Sequence, residues 1–287
     1  MDFKELTSRI QNKCPEIARS AWRPIQAKRE TEDKFATRFG GNRPFRSSSF
    51  CWPICEECHA HKAFLCQINL ERMPPPVQQQ IKRYSGLFQL FYCLECTPLD
   101  YFKDMNFVPK SDFVPSLKAL SAQAVVEKNC RTKDLPDLVK SYIADITEYV
   151  PEAEYDGDIF EEKEVAMWEE LKWKEVPNFE EMVCHNNGVL AKKIGITPED
   201  DDIYIDDIDY DVNTILTPQG GIKLGGYIRW CQQIEYPTCP KCKLKMDVTF
   251  LQLEDDDLYN FSWGDCGTAH ITLCPACGKA GMSWACA

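Results

Sequence analysis

Sixteen cysteines are the residues of this 287-residue chain whose type and spacing most clearly imply chemistry. Eight of them form Cys-x-x-Cys pairs, a spacing that lets a tight turn present two thiolates to one metal ion. The pairs are Cys55/Cys58, Cys93/Cys96, Cys239/Cys242 and Cys274/Cys277. We predict two structural zinc ions, one held by the first two pairs and one by the last two. Four thiolates close the site to water and substrate, and such a site can contribute on the order of 10 kcal/mol or more to folding.

Predicted strands supply the geometry that these widely spaced pairs need. In each half, one pair precedes a strand-like apolar run and the other follows the next run (residues 64–70 and 86–93, then 248–253 and 267–274). If the two runs pair antiparallel, the start of one lies beside the end of the other. All four sulfurs of each set should then meet at one end of a hairpin.

Alternative metal ligands are possible at the first site, because Cys51, His59 and His61 lie close in sequence to the Cys55/Cys58 pair. We favour Cys55 and Cys58 because Cys239 and Cys242 occupy the corresponding places in the second half. Cys66 falls inside a predicted strand and is interpreted as a buried apolar residue. The remaining cysteines have no assignable partner; they are Cys14, Cys130, Cys184, Cys231, Cys266 and Cys286.

An internal repeat organises the chain. The two copies begin at Gly40 and at Gly225. Each contains the same six features in the same order: a Gly-Gly pair, an aromatic-Pro pair, a Cys-x-x-Cys, a Gln-bearing strand, a strand that begins with glycine and a second Cys-x-x-Cys. The fold class expected is α+β, mainly β, built from a duplicated antiparallel unit with one four-cysteine zinc site in each copy.

Composition divides the chain into four segments. Residues 1–39 form a basic N-terminal arm with a helix, 40–96 the first zinc-pinned repeat, 97–222 a helical and acidic insert, and 223–287 the second repeat. Helices are expected at about 112–127 and 135–149, and the two repeats are expected to pack as one domain. The acidic stretch 196–212 lacks the glycine and closing glutamate of a calcium-binding EF-hand loop.

Charge and hydropathy narrow the partners and the compartment. The net charge of −12 disfavours general nucleic-acid binding, except through the basic arm, where residues 1–46 hold eleven Lys/Arg against six acids. Acidic residues concentrate between 151 and 211, which suits a basic protein partner. The sequence predicts neither a membrane span nor a secretory signal. Cysteine pairs of this kind then indicate a reducing intracellular compartment, cytoplasmic or nuclear.

Several ordered motifs resemble those of the YwqG-like family, the domain of unknown function 1963. They are Ala36 to Gly41, Trp52-Pro53, Phe64 to Leu70, Gly86 to Phe91, Lys223 to Tyr227, Tyr236-Pro237, Trp263-Gly264-Asp265 and Ser283 to Cys286. The resemblance implies a compact, mainly β, internally duplicated fold and brings no established activity. Many members lack the cysteines, so the zinc prediction depends on this sequence alone.

A more distant resemblance is to the programmed cell death protein 2 family, whose members share the Leu-Gly-Gly opening, the cysteine pairs and the Gln-bearing strand in two halves. It implies a role as an escort for a ribosomal protein. This chain departs from that family in its acidic insert and in its Trp284-Ala285-Cys286 ending.

The functional prediction is a non-enzymatic, zinc-stabilised module for protein interaction or assembly, such as an escort for a basic protein or a subunit of a large particle. The alternative is an enzyme with its site in the groove between the repeats, for which Gln67, Gln89, Gln252 and Asp265 are candidates. We favour the interpretation that the glutamines bond backbone groups of the sheet. A zinc-ribbon nucleic-acid binder would need a basic face that the overall charge does not supply.

Overall fold

A computed structural model of the chain describes residues 9, 12–29, 33–47, 50–96, 104–113, 160–172, 174–177, 181, 192–193, 218–254 and 261–286. Most of the two helices expected at 112–127 and 135–149 lies outside these residues. So do the acidic stretch 196–212, Cys130 and Cys184. Within the described residues, no helix combines the length and the apolar character needed to cross a membrane.

Strands dominate the described residues, with a short α-helix, α1 (Pro75–Gln80), and brief 3₁₀ turns at Pro15–Ile17, Leu70–Arg72 and Lys110–Phe113. The strands are β1 (Ala21–Gln26), β2 (Arg38–Phe39), β3 (Ala63–Asn69), β4 (Leu87–Tyr92), β5 (Met105–Val108), β6 (Lys163–Glu170), β7 (Lys223–Gly225), β8 (Val248–Glu254), β9 (Thr268–Leu273) and β10 (Ala280–Ala285). β3, β4, β8 and β9 coincide with the strands expected from the sequence.

The ten described strands form one antiparallel sheet in the order β10-β9-β8-β7-β1-β6-β2-β3-β4-β5. The mainly β class expected from the sequence is therefore confirmed. Two meanders, β2 to β5 and β7 to β10, flank the central pair of β1 and β6. We refer below to each meander with its adjoining loops as the first half and the second half.

The central pair comes from the segments that the sequence suggested as an arm and an insert. β1 (Ala21–Gln26) lies in residues 1–39 and pairs with β7 on one side and β6 on the other. β6 (Lys163–Glu170) lies in residues 97–222 and pairs with β2. Both segments therefore contribute strands to the sheet that joins the two halves.

The sheet curls so that its halves share one hydrophobic core. β3 and β4 are buried along their whole length, which matches their nearly continuous apolar sequence. Phe88 of β4 meets Phe250 of β8 edge-on, with ring centroids 5.4 Å apart. Tyr92 likewise packs edge-on against Trp263 at 5.0 Å. Such aromatic pairs add about 0.5–1.5 kcal/mol beyond the apolar area they bury.

Candidate metal centres

The hairpins bring the cysteine pairs together. Ala63 at the start of β3 is the partner of Tyr92 at the end of β4, and Val248 is the partner of Leu273 in the second half. The first Cys-x-x-Cys of each half comes just before β3 or β8, and the second comes just after β4 or β9. The antiparallel register therefore places both pairs at one end of each hairpin.

The three Cys-x-x-Cys loops whose following residues the structure describes share one backbone pattern. The amide N–H of the first cysteine donates to the carbonyl oxygen five residues later, at 2.9 Å for Cys55, 2.9 Å for Cys239 and 2.8 Å for Cys274. The amide N–H four residues later donates back to the carbonyl of that cysteine at 2.8–3.0 Å. We call each such loop a knuckle.

Each of these knuckles turns through a residue in the left-handed region directly after its second cysteine. The residues are His59 (φ 60°), Lys243 (φ 62°) and Gly278 (φ 64°). Left-handed backbone is costly for a non-glycine residue. Two of the three knuckles carry this cost, as expected of turns that a site requires.

Four sulfurs converge in each half. The groups Cys55, Cys58, Cys93, Cys96 and Cys239, Cys242, Cys274, Cys277 each have all their ligand atoms within 4.8 Å of one another. Sulfur–sulfur distances are 3.6 Å for Cys58–Cys93, 3.4 Å for Cys239–Cys277 and 3.2 Å for Cys242–Cys274. No disulfide joins these eight cysteines.

This donor set fits a tetrahedral metal ion. Zinc–sulfur bonds of about 2.3 Å at tetrahedral angles imply sulfur–sulfur distances of about 3.8 Å. The three sulfur–sulfur distances given above lie within about 0.6 Å of that value, so small shifts would let the sulfurs surround an ion. Two groups of four cysteines could each hold one metal ion.

Backbone N–H groups favour the thiolate form at equivalent cysteines. The N–H groups of Cys58 and Glu57 lower the pKa of Cys55 to about 7. The N–H groups of Cys242 and Lys241 lower the pKa of Cys239 to about 6. The thiolate is the form that binds a metal, so each first knuckle prepares one ligand.

The alternative ligands of the first site are not part of its group of converging atoms. That group consists of cysteine sulfurs from Cys55, Cys58, Cys93 and Cys96. Among the described residues, Cys51, His59 and His61 are exposed and belong to neither group. Cys66 is fully buried in β3, which confirms its interpretation as an apolar core residue.

The glutamines of the strands form hydrogen bonds with backbone groups, as the preferred interpretation predicted. The amide nitrogen of Gln67 donates to the carbonyls of Lys34 (3.1 Å) and Ala36 (3.0 Å). Its oxygen accepts from the N–H of Phe45 at 2.7 Å, and Gln89 donates to the Phe45 carbonyl at 2.8 Å. These amides hold the loops that enter β2 and leave it.

Gln252 makes the same bonds in the second half. Its nitrogen donates to the carbonyls of Gln219 and Gly221, both at 3.1 Å, and its oxygen accepts from the N–H of Arg229 at 2.9 Å. Asp265, the remaining candidate for an enzymatic site, is exposed in the turn before β9. The amides of the three glutamines are therefore engaged in hydrogen bonds with backbone groups.

Sequence reasoning missed two buried ion pairs near the centre of the sheet. Lys223 Nζ lies 2.7 Å from Glu175 Oε1, with both side chains at most 3% exposed. Arg38 Nη1 lies 3.1 Å from Glu162 Oε1. Both cations open the short strands β2 and β7, and both carboxylates come from the segment predicted as an insert.

The Gly-Gly pairs are the sequence feature that could have indicated these ion pairs. A Cβ added at Gly41 would collide with the Glu162 carboxylate, and one added at Gly226 would collide with the Glu175 carboxylate. Both glycines also have positive φ, at 78° and 67°. The motif therefore indicates a carboxylate packed on the backbone.

A cavity of about 350 Å³ lies apart from the cysteines. Its lining includes Asp33, Arg72, Glu164, Met167 and Trp168. An ion pair of 2.6 Å between Arg72 Nη1 and Asp33 Oδ2 takes up two of its charged groups.

A family model matches most of this chain. A model described as a domain of unknown function (DUF1963) matches residues 37–275, a span that includes seven of the eight cysteines in the two groups. No curated protein gives a significant match.

Proposed function

The chain belongs to the DUF1963 family, a domain of unknown function, and we propose that it is a non-enzymatic, zinc-stabilised module for protein interaction or assembly. The observation that carries this proposal is the convergence of four sulfurs in each cysteine group, which together could hold one ion. A four-thiolate zinc site has no open position, so its role is structural. The soft thiolate donors support zinc as the ion.

The metal would stabilise the end of the second hairpin, where the apolar core is thin. Around the second centre the described apolar cluster consists of Met246 with the four cysteines themselves. An ion bonded to all four sulfurs would link the two knuckles there. Metal binding would stabilise the folded chain because the site does not exist in the unfolded chain.

An internal duplication is part of the proposal. Arg38 pairs with Gln67 as Lys223 pairs with Gln252, and a register shift follows in each hairpin, at Phe64/Cys66 and at Thr249/Leu251. The knuckle and glutamine bonds also recur in both halves. A single ancestral unit, copied once, accounts for this agreement more simply than two independent origins.

A basic protein is the proposed partner, as an escorted subunit or within a large particle. The net charge of −12 and the concentration of acids between 151 and 211 support it, because complementary charge speeds encounter and selects partners. A reducing compartment, cytoplasmic or nuclear, follows from thiols kept free to bind metal.

The alternative, an enzyme with a site between the halves, has less support. The three glutamines suggested for it use their amides in backbone hydrogen bonds within the described residues. The cavity near Asp33 and Arg72 contains none of the eight cysteines. The binding role is therefore the better interpretation.

Metal analysis and partner isolation test the proposal together. Chain purified gently under reducing conditions should contain about two zinc ions, one for each cysteine group. Affinity isolation of the tagged chain from cells that express it, followed by mass spectrometry, should recover one basic protein in stoichiometric amount. A zinc content near zero would overturn the metal assignment, and repeated recovery of the chain alone would overturn the binding role.

A further inference from the structure

The knuckles of the two metal centres share a backbone but carry opposite charge. Glu57 precedes the second cysteine of the first knuckle, and Lys241 occupies the same place in the second half. Glu56, Glu57 and Glu95 are exposed around the first centre. Around the second centre, Lys241 and Lys243 are exposed, and Lys245 and Lys279 are partly exposed.

An apolar side chain lies among these lysines. Leu244 is 48% exposed and stands between Lys243 and Lys245 in sequence. Lys245 Nζ lies 4.6 Å from the centre of the Tyr236 ring, which holds its charge beside the knuckle. We call the set Lys241, Lys243, Leu244, Lys245 and Lys279 the basic knuckle surface.

A fifth cation approaches from the first half. Arg83 is exposed, and its Nη1 donates to the carbonyl oxygen of Cys277 at 2.5 Å. A zinc ion with four thiolates carries a net charge of −2. Lys241 and Lys243 are exposed beside that centre, so it presents cationic side chains to solvent in a chain whose net charge is −12.

We propose that the basic knuckle surface is a docking site for an acidic protein segment that carries an aliphatic side chain. The lysines select the carboxylates, and Leu244 gives the aliphatic group a contact that removes apolar surface from water. The inference rests on the proposed function in one respect, since metal must hold the knuckle in shape. It adds a second kind of partner, which is acidic, whereas the partner proposed above is basic.

Nucleic acid fits this surface less well. A phosphate backbone offers no counterpart to an exposed leucine. Bases of single strands need aromatic platforms. Of the described aromatic residues here, Tyr236 is covered by Lys245 and packs edge-on against Trp230 at 4.9 Å.

Fluorescence anisotropy with the zinc-loaded full chain tests the proposal. The probe is a labelled synthetic peptide of alternating Asp and Leu, compared with the same peptide containing Asn for Asp and with a single-stranded oligonucleotide of equal charge. We expect the Asp-Leu peptide to bind most tightly and its affinity to fall as salt rises. Tighter binding of the oligonucleotide, or no binding of the acidic peptide, would overturn the proposal.

Two variants separate docking from a role of the lysines in balancing the charge of the metal centre. The double change Lys241→Glu/Lys243→Glu should weaken peptide binding roughly tenfold or more. The matched control Lys28→Glu/Arg29→Glu makes the same charge change at exposed positions after β1 and should leave binding intact. Leu244→Ser changes no charge and should weaken binding severalfold at unchanged zinc content.

Zinc is measured in every variant, so that the two proposals fail separately. Equal peptide affinity in the lysine variant, the control and the parent would overturn docking while the zinc assignment stands. An unchanged affinity of Leu244→Ser at full zinc content would also overturn it. Absence of zinc from the parent chain would instead overturn the metal assignment.

Discussion

Arg83 and Cys277 join the first half of the protein to the second metal centre. Arg83 Nη1 donates to the carbonyl oxygen of Cys277 at 2.5 Å, and the neighbouring Tyr84 hydroxyl accepts from the N–H of Ala280 at 3.2 Å. Both acceptor and donor groups on the second half belong to the backbone at or just beyond the last knuckle. The loop after α1 therefore fixes the position of that knuckle.

Removing this link should loosen the second centre more than the first. We expect Arg83→Ala to lower the free energy of unfolding by up to about 1 kcal/mol, since the hydrogen bond is exposed. Zinc transfer to a chelator should become faster for one of the two ions. Lys82→Ala, at the exposed neighbouring position, is the control and should change neither. Equal acceleration for both ions would show that Arg83 does not act on the second knuckle.

Loss of one ligand should empty one centre and spare the other. We expect Cys239→Ser to reduce zinc from about two ions to about one per chain, because Cys239 belongs to the second group alone. The second half should unfold at a lower temperature, since a closed site missing a ligand no longer holds its knuckles. Metal analysis and thermal unfolding followed by circular dichroism are the measurements.

The control for this substitution is Cys51→Ser. Cys51 is exposed and outside the first group of converging sulfurs. Its replacement should leave zinc content and unfolding temperature unchanged. A loss of zinc from Cys51→Ser would identify Cys51 as a ligand of the first centre.

Gly226→Ala should be far more disruptive than Gly278→Ala, although both glycines have nearly equal φ values of 67° and 64°. A Cβ at Gly226 meets the carboxylate of Glu175 and the Cβ of Ala21 at 2.8 Å, whereas one at Gly278 meets only Arg83 at 3.5 Å. The shared left-handed backbone costs about 1–2 kcal/mol in each variant. The collision should add several kcal/mol at Gly226 by displacing a buried carboxylate from Lys223.

Urea unfolding of the two alanine variants measures this difference. Because the backbone cost is common to both, the gap between their unfolding free energies reports the carboxylate contact. Equal destabilisation would mean that Glu175 does not pack on Gly226.

His270 should make the folded state sensitive to acid. Complete burial lowers the pKa of His270 to about 3, against 6.5 for an exposed histidine. Below pH 6.5 the unfolded chain binds a proton that the folded chain does not bind until about pH 3. Stability is therefore lost as pH falls through this window, at about 1.4 kcal/mol for each pH unit.

His270→Gln tests this dependence with the residue that occupies the corresponding position in the first half, Gln89. Between pH 7 and pH 5 the parent should lose about 2 kcal/mol more than the variant in urea unfolding. Taking the difference removes the acid sensitivity that the cysteines contribute to both proteins. Parallel pH profiles would show that His270 charges equally in the folded and unfolded states.

Local sequence determined the hairpins, the knuckles and their cysteines. Residues 64–70 and 248–253 are apolar runs of strand length. Two cysteines separated by two residues can bind one metal ion through a tight turn. Both are short-range properties of the chain, so they can be recognised without a fold. Equivalent positions in the two halves also separated Cys55 and Cys58 from their exposed neighbours Cys51, His59 and His61.

Only the tertiary structure decided how the halves are joined. β1 and β6 lie in segments whose charge and composition suggested an arm and an insert, yet their pairing places them at the centre of the sheet. Their side chains are partly exposed at this position, so hydrophobic periodicity gives a weak signal. The ion pair of Lys223 with Glu175 joins residues 48 positions apart, and the Arg83 bond to Cys277 spans 194. Contacts of this range depend on how strands are ordered across a sheet, and a linear pattern of residues does not specify that order.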